Sequence, residues 1–551
     1  MSLMANLYVG QSGLTTSQNA LNTTAHNMAN LDTTGYTRQQ VQQGTMPYQT
    51  LERDYTVIAW KQIGTGVNYN HCKQVRGDFL DVEYRREVGR KDFYDVSTRA
   101  LEEIEDQLQE MDGQEFALSL NNFWTAVQEL AKDPCSAVNQ SALVTRANEF
   151  LARSKSVYEG LVAYQDNLDA TIEGIVEDIN YYGDRIKELN EKIAEIESSK
   201  QEHANDLRDE RNLLLDKLGE YGKIDYKEDI FGNVTVLFEG TAFVTTDHVN
   251  HIAIDRTLES CERYATPYWE FAAKTHYDKD GEKIVDSIDG AKIFDLTQTV
   301  STSTNTDVGK LKSVLLARGD HHATYHDIYE DPDYYNKHIA QSVLMNVEAE
   351  FDQLIHFVVT EVNKVLEEAE SNPANLDDTL GLPQDFDLFV VANKDDKVMY
   401  DIGDIDKNTL YSGFTIMNTQ VNSTFIQDPT VFTFRTIEGN EDMATMEALK
   451  KAFTTEDYVL NPNVSTKNSF ITYYNSLVSQ VANSGDVYKG IFEAQEKTVD
   501  AIDSGREQIA GVSSDEELEL MIMFQNAYNA SSRYINVVSE MLEHLLNTLG
   551  S

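Results

Sequence analysis

Apolar positions recur every seven residues at both ends of the chain. Near the N-terminus Leu7, Leu14, Leu21 and Met28 form one column, and Gly10, Ser17, Thr24 and Leu31 form a second. The first column is apolar and the second mostly small, a narrow stripe rather than a broad core face. Asp32-Thr33-Thr34-Gly35 supplies turn chemistry that ends the predicted helix. At the C-terminus the columns are stronger: Met521, Tyr528, Ile535, Leu542 and Leu549 in one, Phe524, Ser531, Val538 and Leu545 in the other. Four heptads of this kind predict a coiled-coil helix, with Ser513 or Ser514 before Asp515-Glu516-Glu517 as its N-terminal capping signal. Two such ends are expected to pair with each other or with copies of themselves.

Between the ends the period changes more than once. Val157, Leu161, Tyr164, Leu168, Ile172, Ile175, Ile179, Tyr182, Ile186, Leu189, Ile193 and Ile196 follow mostly 4-3 steps, which predicts a long rod helix. A turn near Ser198-Ser199 leads to a return helix over 204–218, and Phe116 to Leu130 marks a further helix stopped by Asp133-Pro134. Short β-rich runs bounded by glycine fill 223–307, as in Val234 to Phe238. A second β-like stretch covers about 385–435 and includes Val431 to Phe434; helical pattern resumes from 466. The predicted class is α+β and multidomain: paired terminal coiled-coil helices, a long helical rod domain and inserted β-rich domains. The expected division is 4–64 for an N-terminal core helix and extension, paired with 520–551. The rod takes 65–222 and continues through 308–372 and 436–519, with β-rich insertions at 223–307 and 373–435.

Charge sharpens this picture. The 551 residues include 45 basic and 92 acidic side chains, a net charge of −47. Residues 1–100 are near neutral, with 10 Lys+Arg against 9 Asp+Glu, and 521–551 carry only Arg533, Glu540 and Glu543. The acid excess therefore sits in the body. It argues against binding nucleic acid or anionic membranes, both of which call for clustered Lys and Arg. Neutral ends on an acidic body are expected to pack against protein while the body faces water. Cys72, Cys135 and Cys261 are far apart and make neither a disulfide framework nor a zinc knuckle. No run of apolar residues is long enough to span a bilayer, and no Sec-type signal pattern is present.

Catalytic motifs are missing: there is no Walker loop, GxSxG elbow, HExxH or GxGxxG, and Gly64-Thr65-Gly66 precedes β-like sequence rather than a helix. The best metal-site candidate is His321, His322, His326, Asp327, Glu330 and Asp331, in which His322 and His326 would share a helix face. A solvated acidic loop is the competing interpretation, and Pro332 disfavours a long helix there. Arg318-Gly319-Asp320 spells an adhesion tripeptide but is expected to be a plain turn. A metal-dependent enzyme or binder using this histidine cluster is one alternative function, and a generic intracellular coiled-coil scaffold another.

Several stretches carry a family resemblance. Asn27-Met28-Ala29-Asn30-Leu31-Asp32-Thr33-Thr34-Gly35-Tyr36 resembles the N-terminal signature of bacterial flagellar rod, hook and hook-associated proteins. The longer run from Leu7 to Leu14 and from Ala20 to His26, with Tyr36-Thr37-Arg38-Gln39, is similar to the hook-associated protein 1 family in particular. So are Asn122-Phe123-Trp124, Leu130 to Pro134, Leu207-Arg208-Asp209-Glu210-Arg211, Asp515 to Leu518, Tyr528 to Arg533 and Met541-Leu542. The resemblance implies a structural, non-enzymatic protein with no cofactor and no metal, acting at the junction between hook and filament. Implied partners are further copies of itself in a helical ring, the hook protein, hook-associated protein 3 and an export chaperone on the C-terminal helix. Implied location is the extracellular flagellum, reached by type III export without a cleaved signal peptide. The expected assembly interface is Leu7, Leu14, Leu21, Asn27, Met28, Asn30, Leu31, Gly35, Tyr36, Met521, Phe524, Tyr528, Ile535, Val538, Leu542, Leu545 and Leu549. Within it, the amides of Asn27 and Asn30 are expected to satisfy backbone groups of neighbouring subunits.

Overall fold

A computed structural model describes residues 3–54, 59–109, 116–198, 202–256, 264–277, 283–329, 332–370, 387–391, 413–432 and 434–549. Helix α1 (Leu3–Ala29) is followed by four short strands, β1 (Gln39–Thr45), β2 (Gln49–Asp54), β3 (Ala59–Ile63) and β4 (Val67–Gln74). β1 pairs antiparallel with β4 and β2 with β3, so the extension is a pair of nested hairpins. The expected boundary at residue 64 would cut this ladder. The extension instead continues to the start of α2 (Asp78–Gln109).

The rod begins with α2, α3 (Phe116–Leu130), α4 (Ala137–Glu197) and α5 (Asn205–Tyr221). α4 has 61 residues, about 90 Å at 1.5 Å per residue, and is longer than its heptad pattern alone predicts. Its stripe from Leu143 to Ile193 is buried along almost its whole length, whereas Ile196 at the tip is exposed. A first β-rich insertion follows: β5 (Ile224–Glu228), β6 (Val234–Phe238) and β7 (Thr241–Val244) form an antiparallel meander. β8 (Ile252–Asp255) then pairs with β9 (Thr266–Trp269), and β10 (Lys274–Tyr277) with β11 (Lys283–Ser287). Phe238, Phe243 and Trp269 close this module with rings about 6 Å apart.

The chain re-enters the rod through α6 (Lys310–Arg318). Two short turns, α7 (His326–Tyr329) and α8 (Pro332–Tyr334), then run into a π-helical turn and α9 (Val343–Glu370). A small two-stranded sheet, β12 (Phe389–Val391) with β13 (Thr419–Val421), precedes α10 (Ser423–Gln427) and α11 (Met443–Thr454). The run Val431 to Phe434 expected as a strand departs from that expectation: Pro429–Val431 is a 3-10 turn, and Phe432 is not in a strand. Proline at 429 removes an amide donor, and Phe432 gains more by stacking on Phe425 with ring centroids 4.1 Å apart. α12 (Phe470–Ala510) returns antiparallel along α2, and α13 (Ser514–Leu549) ends the chain.

The core lies where α3, α4, α9, α11 and α12 meet. Phe116 contacts Phe351 and Tyr474 at 4.9 and 4.7 Å between ring centroids, Phe123 stacks on Phe150, and Phe453 meets Phe123 and Phe470 edge-on. One device recurs around it. Helix-borne asparagines clasp a strand residue by both its amide and its carbonyl: Asn180 takes Ile252, Asn190 takes Val234 and Asn363 takes Phe389. Each carboxamide acts as a one-residue neighbouring strand, pairing that residue's amide and carbonyl where sheet meets helix.

Candidate assembly interface

α1 and α13 lie antiparallel. A Cβ added at Gly10 would meet Ile535 Cγ1 at 2.6 Å and Tyr534 at 3.1 Å, and one at Gly13 would meet Ser531 Oγ at 2.8 Å. At the far end Arg38 reaches Glu516 and Glu517. The seam is inverted relative to the expected stripe. Gly10, Ser17, Ala20 and Thr24 are buried, while Leu7, Leu14, Leu21 and Met28 are half-buried at its edge. Small residues let the two backbones approach closely, so packing replaces large side chains there. The other flank of α1 lies on the hairpin: Val67 N donates to Ser12 Oγ at 3.2 Å, and Cys72 lies beside Thr23.

On α13 the heptad columns face α1. Val538 is buried, and Met521, Phe524, Tyr528, Ser531, Ile535 and Leu542 are half-buried. Leu545 is exposed near the end of the helix, and the side chain of Leu549 lies outside the described residues. Beside this seam runs a second apolar stripe that the heptad count misses: Met523, Tyr534, Val537 and Met541, each 42–52 % exposed. Continued i, i+3 and i+4 spacing through 530, 534, 537, 541 and 545 is the signal that could have revealed it. The outward face of α1 carries Gln11, Thr15, Gln18 and Asn22, uncharged and exposed, with Tyr8 at 68 %.

The signature turn folds onto its own chain. Asn27, 1 % exposed, clasps Gln39 as the rod asparagines clasp their strands: its Nδ2 donates to Gln39 O at 2.9 Å and its Oδ1 accepts from Gln39 N at 3.0 Å. Tyr36 Oη donates to the same Asn27 oxygen at 2.7 Å. Asn30 Nδ2 donates to His26 O at 3.0 Å, closing the last turn of α1. Asn27 is therefore spent within the chain rather than on a neighbouring subunit, and Asn30, half-buried, bonds its own helix end. Gly35 takes φ +80°, which only glycine adopts freely, with Leu213 beneath it; Leu31 points to solvent. Thr37 N donates to Asp209 at 3.2 Å, and burial pushes the Asp209 carboxyl up to about 6. Arg38 N donates to Ala510 O at 2.8 Å, and its guanidinium pairs with Glu517 and Glu516 at 2.8 and 2.9 Å. The acidic first turn of α13 thus both meets the helix dipole and takes Arg38. The run Leu207 to Arg211 braces the same region: Arg208 pairs with Glu197 and Glu228, Glu210 with Arg185, and buried Arg211 donates to Asn190 and Gly232.

The histidine cluster takes another shape than expected. His322 lies in the loop after α6 and His326 opens α7, so they share no helix face; Glu330 and Asp331 lie outside the described residues. Gly319, at φ +76°, ends α6 and breaks the register. Burial disfavours a charge on His321, but Asp320 and Asp327, at 2.7 and 3.2 Å from its two nitrogens, overcome it and push its pKa up to about 10. A doubly protonated ring has no lone pair for a metal. His322 Nδ1 sits 2.6 Å from Gln165 Oε1, and His326 stacks on Tyr325. Among the described residues no group of three or more His, Cys, Asp or Glu is arranged to hold an ion. Arg318 of the adhesion-like tripeptide is 3 % exposed and bound to Asp169.

Three family models match the sequence: the flagellar hook-associated protein FlgK helical domain over 101–370, the flagella basal body rod protein over 7–37, and the flagellar basal body rod FlgEFG protein C-terminal region over 503–548. The flagellar hook-associated protein 1 of Bacillus subtilis is 26% identical over 100% of this chain and 99% of its own length. That of Escherichia coli is 22% identical over 97% of this chain and 98% of its own. The solved hook junction protein FlgK of Burkholderia pseudomallei superposes with a TM-score of 0.54, covering 78% of this chain and all of that one at 11% identity, a likeness of fold. The two short models fall on α1 with its signature turn and on the α12–α13 region, and the long one on the rod between them. By sequence, domain order and fold, the chain belongs to the flagellar hook-associated protein 1 family.

Proposed function

We propose that this chain is a structural component of the bacterial flagellum that forms the junction between hook and filament, assembling helically through α1 and α13. The observation that carries this reading is the unfinished apolar surface of the terminal pair. α13 gives one face to α1 and leaves Met523, Val537 and Met541, with much of Tyr534, exposed in one stripe beside it. Burying a large apolar side chain contributes roughly 1.5–3 kcal/mol, so this stripe repeated in every subunit supplies ample association energy. Contacts between unlike faces of neighbouring copies propagate as a helical array. The family is structural and the chain is not an enzyme; it acts in the flagellum alongside hook components. We infer further that its neighbours are the hook protein and hook-associated protein 3, and that it leaves the cell by type III export. The same stripe is the groove-binding face for an export chaperone before assembly.

Val537→Asp tests this directly. A charge in an interface that must exclude water costs several kcal/mol per subunit, while the exposed position leaves the monomer fold intact. The expected phenotype is filament subunits released into the medium without filament growth, with the variant still exported. Normal filaments in cells carrying only the variant would refute the interface.

A further inference from the structure

Six charged side chains from separate parts of the chain alternate in one line at the root of the terminal pair. Asp209 on α5 lies 3.7 Å from Arg76, which lies 2.9 Å from Asp81 on α2. Arg506 on α12 joins Asp81 at 2.9 Å to Asp216 at 2.7 Å, and Asp216 takes Arg85 of α2 at 2.7 Å. All six side chains are no more than 16 % exposed. The Arg506 guanidinium also lies 4.1 Å over the Tyr84 ring, and that of Arg85 lies 4.4 Å over Tyr226. Both ends of the chain leave the rod at this point. Thr37, at the end of the signature turn, donates its amide to Asp209 and receives a hydrogen bond from Arg76 at 3.4 Å. Gln74, at the end of β4, donates to Asp209 at 2.8 Å. Arg506 lies one turn before Ala510, whose carbonyl receives the Arg38 amide.

Apolar packing at this root is thin. Phe79 and Val82 of α2 and Ile509 of α12 are exposed, at 73, 49 and 42 %. Hydrophobic contact is also non-directional, whereas a guanidinium shared between two carboxylates fixes both distance and angle. We propose that the chain Asp209–Arg76–Asp81–Arg506–Asp216–Arg85 is a positioning clamp that sets the direction of the α1–α13 pair relative to the rod in the free subunit. The use made of that direction, docking into a lattice with the pair already aimed, rests on the assembly reading above. The clamp itself does not. Arg506 is its central member, because it alone reaches from α12 to both α2 and α5. Removing it leaves Asp81 to Arg76 and Asp216 to Arg85, so the line is cut where α12 joins it and two buried carboxylates each lose a partner.

Hydrogen exchange on the full-length free chain tests the clamp. In Arg506→Gln the amides of 27–38 and 511–517 are expected to exchange at least about tenfold faster, with α3 and α9 unchanged. Arg506→Lys should behave like Arg506→Gln, because one ammonium cannot bridge two carboxylates as a fork does. Asp209→Asn should loosen 27–38 but not 511–517, since it sits at the N-terminal end of the line. Several results would overturn the proposal: root amides unchanged in Arg506→Gln, full recovery in Arg506→Lys, or α3 and α9 loosening by the same factor as the root. Complete early exchange of 27–38 in the parent would do so too. The measurement uses unassembled protein, so its failure leaves the hook–filament reading standing, and normal filaments in Val537→Asp would leave the clamp standing.

Discussion

The rod and the terminal pair solve the same packing problem in opposite ways. In the rod, Phe116, Phe123, Phe150, Phe351 and Tyr473 are at most 1 % exposed, and each β insertion is sealed to a helix by an asparagine clasp. In the terminal pair the buried positions of α1 include Gly10, Ser17, Ala20 and Thr24, and most of the large side chains sit at the edge or in solvent. The rod closes an aromatic core of its own. The pair is a half-interface, close-packed on one side through small residues and open on the other. Stability of the subunit and competence for assembly are thus written in different side chains, and the two can be broken separately.

The largest separation is expected from Phe351→Ala. Its ring touches Phe116 and Tyr474 at the centre of the rod, and losing a fully buried aromatic costs about 3–5 kcal/mol. Urea unfolding of the full chain should show the midpoint falling without a change in slope, while any subunit that stays folded still joins filaments. Gly10→Val attacks the other side. The added side chain has no room before Ile535, and overpacking costs about 1–3 kcal/mol. Protection along α13 should fall and assembly should fail, while the main unfolding transition of the rod keeps its midpoint.

A pH dependence belongs to the rod. Glu350 is 0 % exposed and accepts from Asn461, Gln480 and Asn346 at 2.6, 3.0 and 3.3 Å, all amides without charge. Burial pushes its pKa up to about 7 despite these hydrogen bonds. The folded state therefore holds a proton that the unfolded chain releases near pH 4.5. This contribution to stability is fully present below that pH and is lost as pH rises through 7. Asp352, with amides of Tyr325 and Ile416 as donors, is likewise pushed up to about 7 by burial. Glu350→Gln should flatten the fall in stability between pH 5 and 8 by about 1 kcal/mol or more, read from urea midpoints of parent and variant at both pH values. An equal slope in the two proteins would show that Glu350 stays ionised. The smallest effect is expected at the rod surface: Lys192→Ala removes an exposed pair with Glu188 on α4 and should shift stability by less than about 0.5 kcal/mol.

Both terminal helices, the rod helix α4 and the position of the first β insertion were legible from periodicity, because a helix or strand with one buried face must repeat at 3.6 or 2 residues. The family resemblance was legible in the signature turn, where Gly35 is required by a positive φ and the polar run ends α1. Which column of α1 is buried was not legible. Leu7, Leu14 and Leu21 look like a core stripe, yet the closeness of α13 makes glycine and serine the inner face. The shape of the histidine cluster was not legible for a related reason: adjacency of His321, His322 and His326 in sequence says nothing of the carboxylates that hold one ring protonated or the Gln165 and Tyr325 that engage the others.

Taken by itself, the sequence determined the local elements, the neutral ends on an acidic body and the order of modules, since propensity, capping and charge act over a few residues. Only the tertiary structure decided what joins them. The asparagine clasps link positions such as Asn180 and Ile252, 72 residues apart. The ion line joins Asp81 to Arg506 across 425 residues. Such polar contacts carry no periodicity, because each is a single donor–acceptor match made after packing has brought two distant segments together. The hydrophobic pattern says which faces must be covered, and the long-range polar contacts say at what angle.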